Sequence, residues 1–147
     1  MIDLYDEDFV RWTEEQARAI REGRLDALDR EHLAEEIESM GNKERRELAS
    51  RLTLLVHHLL KQRVQPELDG ASWRRTINVQ RRDIGRLVRA SPSLKAHLDD
   101  TLAEVWRDAV DDAADETGIP AERFDMETLT LDDVLGNALE RPGRPNR

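Results

Sequence analysis

The sequence predicts an all-α fold: a single compact helical bundle of about five main helices followed by a short C-terminal helix. Glycine and proline are sparse, with 7 and 5 among 147 residues. Apolar residues recur every three or four positions over long stretches, while the alternation that marks a strand is nowhere sustained. A chain of this length fits one domain, which we place at 1–140, with a disordered tail at 141–147.

The first two predicted helices lie in the N-terminal third of the chain. Asp6 is the N-cap candidate of the first helix, which ends before Gly23 and has one face made of Phe9, Trp12, Gln16 and Ile20. Asp29 is the N-cap candidate of the second helix, which ends at Gly41 because glycine is typical of a C-terminal cap. The apolar stripe of this second helix consists of Leu33, Ile37 and Met40.

The next two helices carry most of the basic residues. Asn42 opens a long third helix that stops before Pro66, because a proline disfavours the helical conformation in the residue that precedes it. Ser72 is the N-cap candidate of a fourth helix, which reaches about Ala90.

Local signals also delimit the last two helices. Ser91 is placed to cap a fifth helix with Pro92 at its first position, and this helix runs to about Thr117, directly before a glycine. Thr130 and Asp133 have the spacing of a capping box, which predicts a short final helix.

The charged residues are segregated along the chain. Residues 1–41 carry 13 Asp/Glu against 5 Lys/Arg, residues 42–96 carry 5 against 13, and residues 97–147 carry 14 against 5. The net charge of −9 therefore conceals an acidic–basic–acidic order. The chain has no cysteine, no basic and apolar leader and no apolar run of about 20 residues, so we expect a cytoplasmic protein that does not cross a membrane.

An arginine stripe lies on one side of the predicted fourth helix, and its members are Arg75, Arg82, Arg86 and Arg89. Such a stripe can bind an anion or follow a phosphate backbone, which makes nucleic-acid binding one alternative function. Against it, no stacking aromatic residues interleave with the arginines and the net charge is negative. We expect the acidic flanking helices to cover this stripe, and we expect no nucleic-acid partner.

Two adjacent histidines occupy the middle of the predicted third helix. At about 100° per residue, His57 falls nearly opposite the apolar stripe of that helix and should be exposed. His58 falls at the edge of the stripe and should be at least half buried, within hydrogen-bond reach of another polar side chain. Neighbouring positions on a helix diverge too far to hold one metal ion between them.

A polar cluster is predicted from three helices. Glu36 lies beside the apolar stripe of the second helix, and Gln80 lies within the apolar face of the fourth, where its amide must find hydrogen-bond partners. Glu36, His58 and Gln80 can therefore meet. Such a cluster either fixes the register of the bundle or forms a small-ligand or hydrolytic site.

Other chemistries have weaker signals. His32 and Glu36 form an i,i+4 pair, but a di-iron bundle needs a Glu-x-x-His motif on each of two helices, and only the reverse order occurs. We also find no nucleophile elbow, no phosphate-binding glycine loop and no dinucleotide fingerprint. The sequence predicts no metal site and no cofactor, and it favours a non-enzymatic protein over an enzyme.

The chain resembles a bacterial family of small helical proteins, domain of unknown function family 29. The resemblance covers about residues 4–135 and rests on the stretches 4–41, 45–67, 72–88 and 91–94. It implies an all-α fold and no established activity. Four residues match the family motif, namely His58, Lys61, Trp73 and Gln80, which adds Lys61 and Trp73 to the predicted polar cluster. Where family members often have Trp after the motif HLLK, this chain has Gln62.

Together these features favour a non-enzymatic interaction module with an unidentified protein partner, and they allow a homodimer. The small-ligand or hydrolytic site and the nucleic-acid surface are the two alternatives.

Overall fold

The computed structural model describes residues 3–140. Within that range the fold is all-α and contains no strand, as predicted. Its helices are α1 (Leu4–Glu7), α2 (Phe9–Arg21), α3 (Arg30–Val64), α4 (Ala71–Ala90), α5 (Leu98–Thr117), α6 (Ala121–Asp125) and α7 (Leu131–Leu135). The predicted disordered tail at 141–147 lies outside the described residues.

The chain forms two compact units, an N-terminal unit that ends at Lys43 and a C-terminal unit that begins at Glu44. Helix α3 contributes its first part to the N-terminal unit and its second part to the C-terminal unit. The assignment of 1–140 to a single domain stays a prediction. No helix between residues 3 and 140 has the length and apolar character that crossing a membrane requires.

The N-terminal unit begins with two consecutive helix starts, each marked by an aspartate. The Asp3 carboxylate accepts from the backbone N–H of Tyr5 at the start of α1. The Asp8 carboxylate accepts from the backbone N–H of Arg11 at the start of α2. The prediction that Asp6 caps the long helix is therefore wrong, because the residues around it form a separate one-turn helix and the true cap follows two residues later.

Helix α3 is continuous through Gly41, so the predicted break between a second and a third helix is also wrong. Gly41 keeps a negative φ, whereas a glycine that caps a helix adopts the left-handed conformation. A helix-interior glycine costs only about 1 kcal/mol relative to alanine, which does not interrupt a helix held on both sides. Asp29 does cap this helix, as predicted, since its carboxylate accepts from the backbone N–H of His32.

The C-terminal unit contains a hydrophobic core built from the second part of α3 together with α4, α5 and the short C-terminal helices. The most buried members of that core are Leu52, Leu55, Val56, Leu60, Ile84, Ala109, Val110, Ala113, Phe124 and Val134. Helix α3 is buried here on two faces, because Leu60 and Lys61 are as enclosed as the predicted stripe from Leu48 to Leu59.

Several predicted boundaries in this unit are confirmed and others shift. The end of α3 before Pro66, the end of α5 at Thr117 and the capping box of Thr130 and Asp133 are as predicted. The N-cap of α4 is Gly70 rather than Ser72. Residues Pro92–His97 form a 3-10 helix before α5, and α6 was not predicted.

Candidate functional site

Lys61 is the most enclosed charged residue of the C-terminal unit, with 2% of its surface exposed. Its ammonium group donates to Oε1 of Glu116 on α5 at 2.9 Å and lies 4.6 Å from the centre of the Trp73 ring on α4. A buried cation needs a compensating anion, and an aromatic face adds further stabilisation. Lys61 and Trp73, which the family resemblance had grouped, therefore do lie together.

His57 is buried beside this ion pair, so the prediction that it is exposed is wrong. The helical phase of α3 is as predicted, but α5 covers the face that was expected to be solvated. The Nε2 atom of His57 lies 2.5 Å from Oε2 of Glu116, yet the two groups are not aligned as a hydrogen bond and Nε2 has no other partner among residues 3–140. Burial, reinforced by the charge of Lys61, lowers the pKa of His57 and favours its neutral form.

The Glu116 carboxylate joins these two residues at the edge of the unit. Half of its side chain is exposed, and the hydrogen bond from Lys61 holds its pKa below the ordinary value. The arrangement is that of a stabilising ion pair between α3 and α5, because each charge already has its counter-charge inside the unit.

His58 is partly buried as predicted, but it forms no hydrogen bond to another side chain of residues 3–140, and its ring lies 4.9 Å from the ring of its neighbour His57. Its Nδ1 lies 3.0 Å from the backbone carbonyl oxygen of Leu54 and donates to it. Desolvation lowers the pKa of His58. This bond stays within one turn of α3 and links no second helix.

Gln80 is buried as predicted and has a different partner from the one expected. Its Oε1 accepts from Arg51 at 3.3 Å, and the same guanidinium donates to Asp83 at 3.1 Å and to Glu47 at 3.0 Å. The network ties α3 to α4 with an arginine shared by three acceptors. Its members satisfy one another, which is the pattern of a structural network.

The predicted cluster of Glu36, His58 and Gln80 is not formed. It required the chain to reverse at Gly41, and α3 makes no such turn. Each of the three residues has its own partner: Tyr5 for Glu36, the Leu54 carbonyl for His58 and Arg51 for Gln80.

The N-terminal unit holds a second group of polar and aromatic residues. The Tyr5 hydroxyl donates to Oε1 of Glu36 at 2.5 Å, and that hydrogen bond is the main cause that raises the pKa of Tyr5 to about 12. The Tyr5 ring stacks on the His32 ring at 3.9 Å and meets the Trp12 ring edge-on at 4.9 Å. These contacts fix α1 and α2 against the first part of α3.

Asp29 is the polar centre of this group. Its carboxylate accepts from Nε1 of Trp12 at 3.0 Å and from Nδ1 of His32 at 2.7 Å, and its own backbone N–H donates to Oε1 of Gln16 at 2.7 Å. The hydrogen bond to Asp29 raises the pKa of His32, and the same bond lowers the pKa of Asp29.

Asp3, Asp29 and His32 bring one potential metal-ligand atom each within 4.8 Å of the others. However, a metal ion would have to displace the proton that Nδ1 of His32 donates to Asp29, and the raised pKa of His32 strengthens the hold on that proton. Hydrogen bonding accounts for the arrangement without an ion.

An apolar groove of about 330 Å³ lies in the N-terminal unit between α2 and the first part of α3. Its lining consists of Phe9, Trp12, Thr13, Gln16, Ala17, Ile20, Leu33, Glu36, Ile37 and Met40. Four of its large apolar side chains are between 47% and 66% exposed, namely Phe9, Ile20, Ile37 and Met40. The sequence assigned these residues to the apolar faces of two helices. The two faces are correctly located, and each remains open on one side.

The arginine stripe of α4 is less covered than predicted. Arg82 and Arg86 lie 3.5 Å and 3.7 Å from one carboxylate, that of Asp83 on the same helix, and both are more than half exposed. Arg89 donates to the backbone carbonyls of Ala138 and Glu140. Arg75 lines a shallow depression with Arg74 and Arg82. We expected side chains of acidic flanking helices to pair with these arginines. Their partners are instead Asp83 on the same helix and two backbone carbonyls.

Sequence reasoning missed Glu116 and the burial of His57, and no local signal marks either, because both depend on the packing of α5 against α3. The sequence locates the two apolar stripes that line the groove, but it does not show that they stay exposed, because exposure depends on which helices pack over them.

The chain belongs to the family described as domain of unknown function DUF29, whose model matches residues 4–138. No curated protein and no solved structure matches the chain.

Proposed function

We propose that this member of the DUF29 family is a non-enzymatic interaction module that binds a helix of a partner protein in the apolar groove of its N-terminal unit. The observation that carries this proposal is the exposure of Phe9, Ile20, Ile37 and Met40 on one groove. Single exposed apolar residues are common, but a contiguous apolar surface of this kind is typical of interaction sites.

The shape of the groove favours a helical occupant. It runs between α2 and the first part of α3, and a helix laid in such a groove inserts side chains spaced three and four residues apart. Helix α2 has 13 residues, which corresponds to a length of about 20 Å. An occupant of roughly four turns would therefore contact the full length of the groove.

The chemistry of the lining favours binding over catalysis. Its polar members are Thr13, Gln16 and Glu36. The Oε1 of Gln16 already accepts from the backbone of Asp29, and Oε1 of Glu36 accepts from Tyr5. The histidine with a raised pKa, His32, is not among the lining residues and bonds to Asp29.

A synthetic peptide provides the test. The probe is a labelled amphipathic peptide of roughly 14 residues, which is about four helical turns, with leucine along one face and glutamine elsewhere. Fluorescence anisotropy measures its affinity for the whole protein. Ile37→Asp and Met40→Asp should each weaken binding by about tenfold or more, because burying one large apolar side chain contributes about 1.5–3 kcal/mol.

The matched control is Leu25→Asp. Leu25 lies in the same unit, is 71% exposed and does not line the groove, so its substitution adds the same charge and should leave affinity unchanged. Binding that survives both groove substitutions, or an absence of binding up to millimolar peptide, contradicts the proposal.

A second copy of the chain is the competing occupant. Residues 1–41 carry 13 acidic against 5 basic side chains, so two N-terminal units that approach one another repel. We therefore expect a monomer by light scattering at micromolar concentration. A dimer that Ile37→Asp dissociates would instead assign the groove to self-association.

A further inference from the structure

Among residues 3–140, Glu36 is the one ionisable side chain that lines the apolar groove. Its Oε1 accepts from the Tyr5 hydroxyl, and within residues 3–140 its second oxygen has no hydrogen-bond partner. The carboxylate is therefore half satisfied by the protein's own side chains, and the rest of its hydrogen-bonding capacity faces the groove or solvent.

The Tyr5 bond also fixes the orientation of this carboxylate. The phenol is held by stacking on His32 and by its edge-on contacts with Trp12 and Phe9. A side chain positioned in this way places a charge at a defined point of the groove wall. It loses less conformational entropy on pairing with a cation than a mobile surface glutamate does.

A helix that docks in the groove removes water from Glu36. Burial of a charge without a counter-charge is strongly unfavourable, and the lining that residues 3–140 provide contains no basic residue to supply one. An entirely neutral occupant would therefore lose part of the stabilisation that it gains from apolar contacts, whereas an occupant with a cation at this point would not. The negative charge of residues 1–41 adds a longer-range preference of the same sign.

We infer that the partner helix of this groove carries a lysine or arginine that pairs with Glu36, between the apolar side chains that contact Ile37 and Met40. This inference rests on the proposed function and specifies the chemistry of the partner. It makes Glu36 a specificity residue, which selects basic amphipathic helices over neutral and acidic ones of equal apolarity.

The experiment compares three peptides that share one leucine face and differ at a single flanking position, which is lysine, glutamine or glutamate. At about 50 mM salt we expect the wild-type protein to bind the lysine peptide roughly tenfold more tightly than the glutamine peptide, and the glutamate peptide more weakly still. The lysine advantage should shrink at about 0.5 M salt, where the Debye length falls to a few ångströms.

Glu36→Gln is the decisive variant, because its amide oxygen can still accept from Tyr5 while the charge is lost. It should bind the lysine and glutamine peptides with equal affinity. Glu38→Gln is the matched control: Glu38 lies two residues later on α3, is exposed and does not line the groove. That variant loses the same charge and should keep the lysine preference.

A spectroscopic readout verifies that Glu36→Gln acts as intended in a folded protein. The chain contains a single tyrosine, so its absorbance titration reports Tyr5 alone. The pKa of about 12 should fall toward 10 when the neighbouring charge is removed, while the helical circular dichroism is unchanged.

The possible failures are distinguishable. If none of the peptides binds the wild type, the proposed function fails. If the wild type binds the lysine and glutamine peptides equally, or if Glu36→Gln keeps the lysine preference, the groove still binds helices but the inference about the partner's charge is overturned.

Discussion

Gly85, in the middle of α4, should not tolerate alanine. It is buried, and a Cβ added to it would lie 2.2 Å from the backbone carbonyl oxygen of Ala138 and 3.3 Å from the carbonyl carbon. Real Cβ atoms essentially never lie closer than 3.0 Å to such an atom, and ordinary contact begins at 3.4 Å, so the backbone around Ala138 would have to retreat by roughly an ångström. Arg89 donates to the same carbonyl at 3.3 Å, and this bond would be strained as well.

The magnitude follows from opposing contributions. Overpacking typically lowers the free energy of unfolding by about 1–3 kcal/mol, and the loss of a hydrogen bond lowers it by about 1 kcal/mol. Replacing a helical glycine by alanine raises it by about 1 kcal/mol. Gly85→Ala should therefore lower the free energy of unfolding by about 1–3 kcal/mol. For a unit of this size that corresponds to a fall in melting temperature of about 4 °C or more.

Gly41→Ala is the internal comparison for this prediction. Gly41 is exposed within α3 and has no left-handed backbone to lose, so the same substitution should raise stability by up to about 1 kcal/mol. Thermal melts followed by circular dichroism measure both variants. A melting temperature for Gly85→Ala at or above that of the wild type would refute the close approach of α4 to the segment at Ala138.

Three further predictions concern charge. The pKa of Glu116 in the folded protein lies below its ordinary value of 4.5. The stability from its ion pair is therefore present above pH 4.5 and is lost as the pH falls through the pKa of the folded protein. Glu116→Gln should reduce this loss of stability in thermal melts between pH 6 and pH 3. The pKa of His32 lies above its ordinary value of 6.5, so its contribution to stability is complete below pH 6.5 and is lost as the pH rises through the pKa of the folded protein. His32→Gln should remove this loss of stability at higher pH. If the dependence of melting temperature on pH is the same in the variant, the hydrogen bond to Asp29 is not formed. Nucleic-acid binding should be undetectable by anisotropy at about 150 mM salt because the net charge is −9, whereas micromolar binding that is lost in the double variant Arg82→Ala, Arg86→Ala would promote the arginine stripe to a functional surface.

The predictions that the structure confirms depend on short-range chemistry. The capping box of Thr130 and Asp133, the stop before Pro66 and the cap at Asp29 are each decided within three or four residues. Gly41 shows the limit of such reasoning. A glycine is compatible with both a cap and a helix interior, and its local preference is worth only about 1 kcal/mol, so the packing of the residues on either side decides between them.

The predicted site failed for the same reason. The prediction that Gln80 is buried was correct because it follows from the phase of α4, but the identity of its partner, Arg51, depends on which helix lies opposite. Glu36 could be matched with His58 only if the chain turned at Gly41. The exposure of His57 was predicted wrongly because a second helix, α5, packs on the face of α3 that carries His57. The pattern of apolar residues in a sequence indicates only the most apolar face of a helix.

The contrast between the two units bears on where function resides. In the C-terminal unit the buried charge of Lys61 meets Glu116, and Gln80 meets Arg51, so the polar groups serve the fold itself. The N-terminal unit ends at Lys43, and a segment of about 40 residues is too short to enclose all of its apolar surface. Small size alone would therefore leave apolar residues exposed, but it would scatter them and would give no reason for a carboxylate among them. Of the six large apolar side chains that are exposed within residues 3–43, four instead line one groove, namely Phe9, Ile20, Ile37 and Met40, and that groove contains Glu36 oriented by Tyr5. If the groove were only a remnant of incomplete burial, Glu36→Gln would leave peptide selectivity unchanged, because an unspecific apolar surface does not distinguish lysine from glutamine at one flanking position.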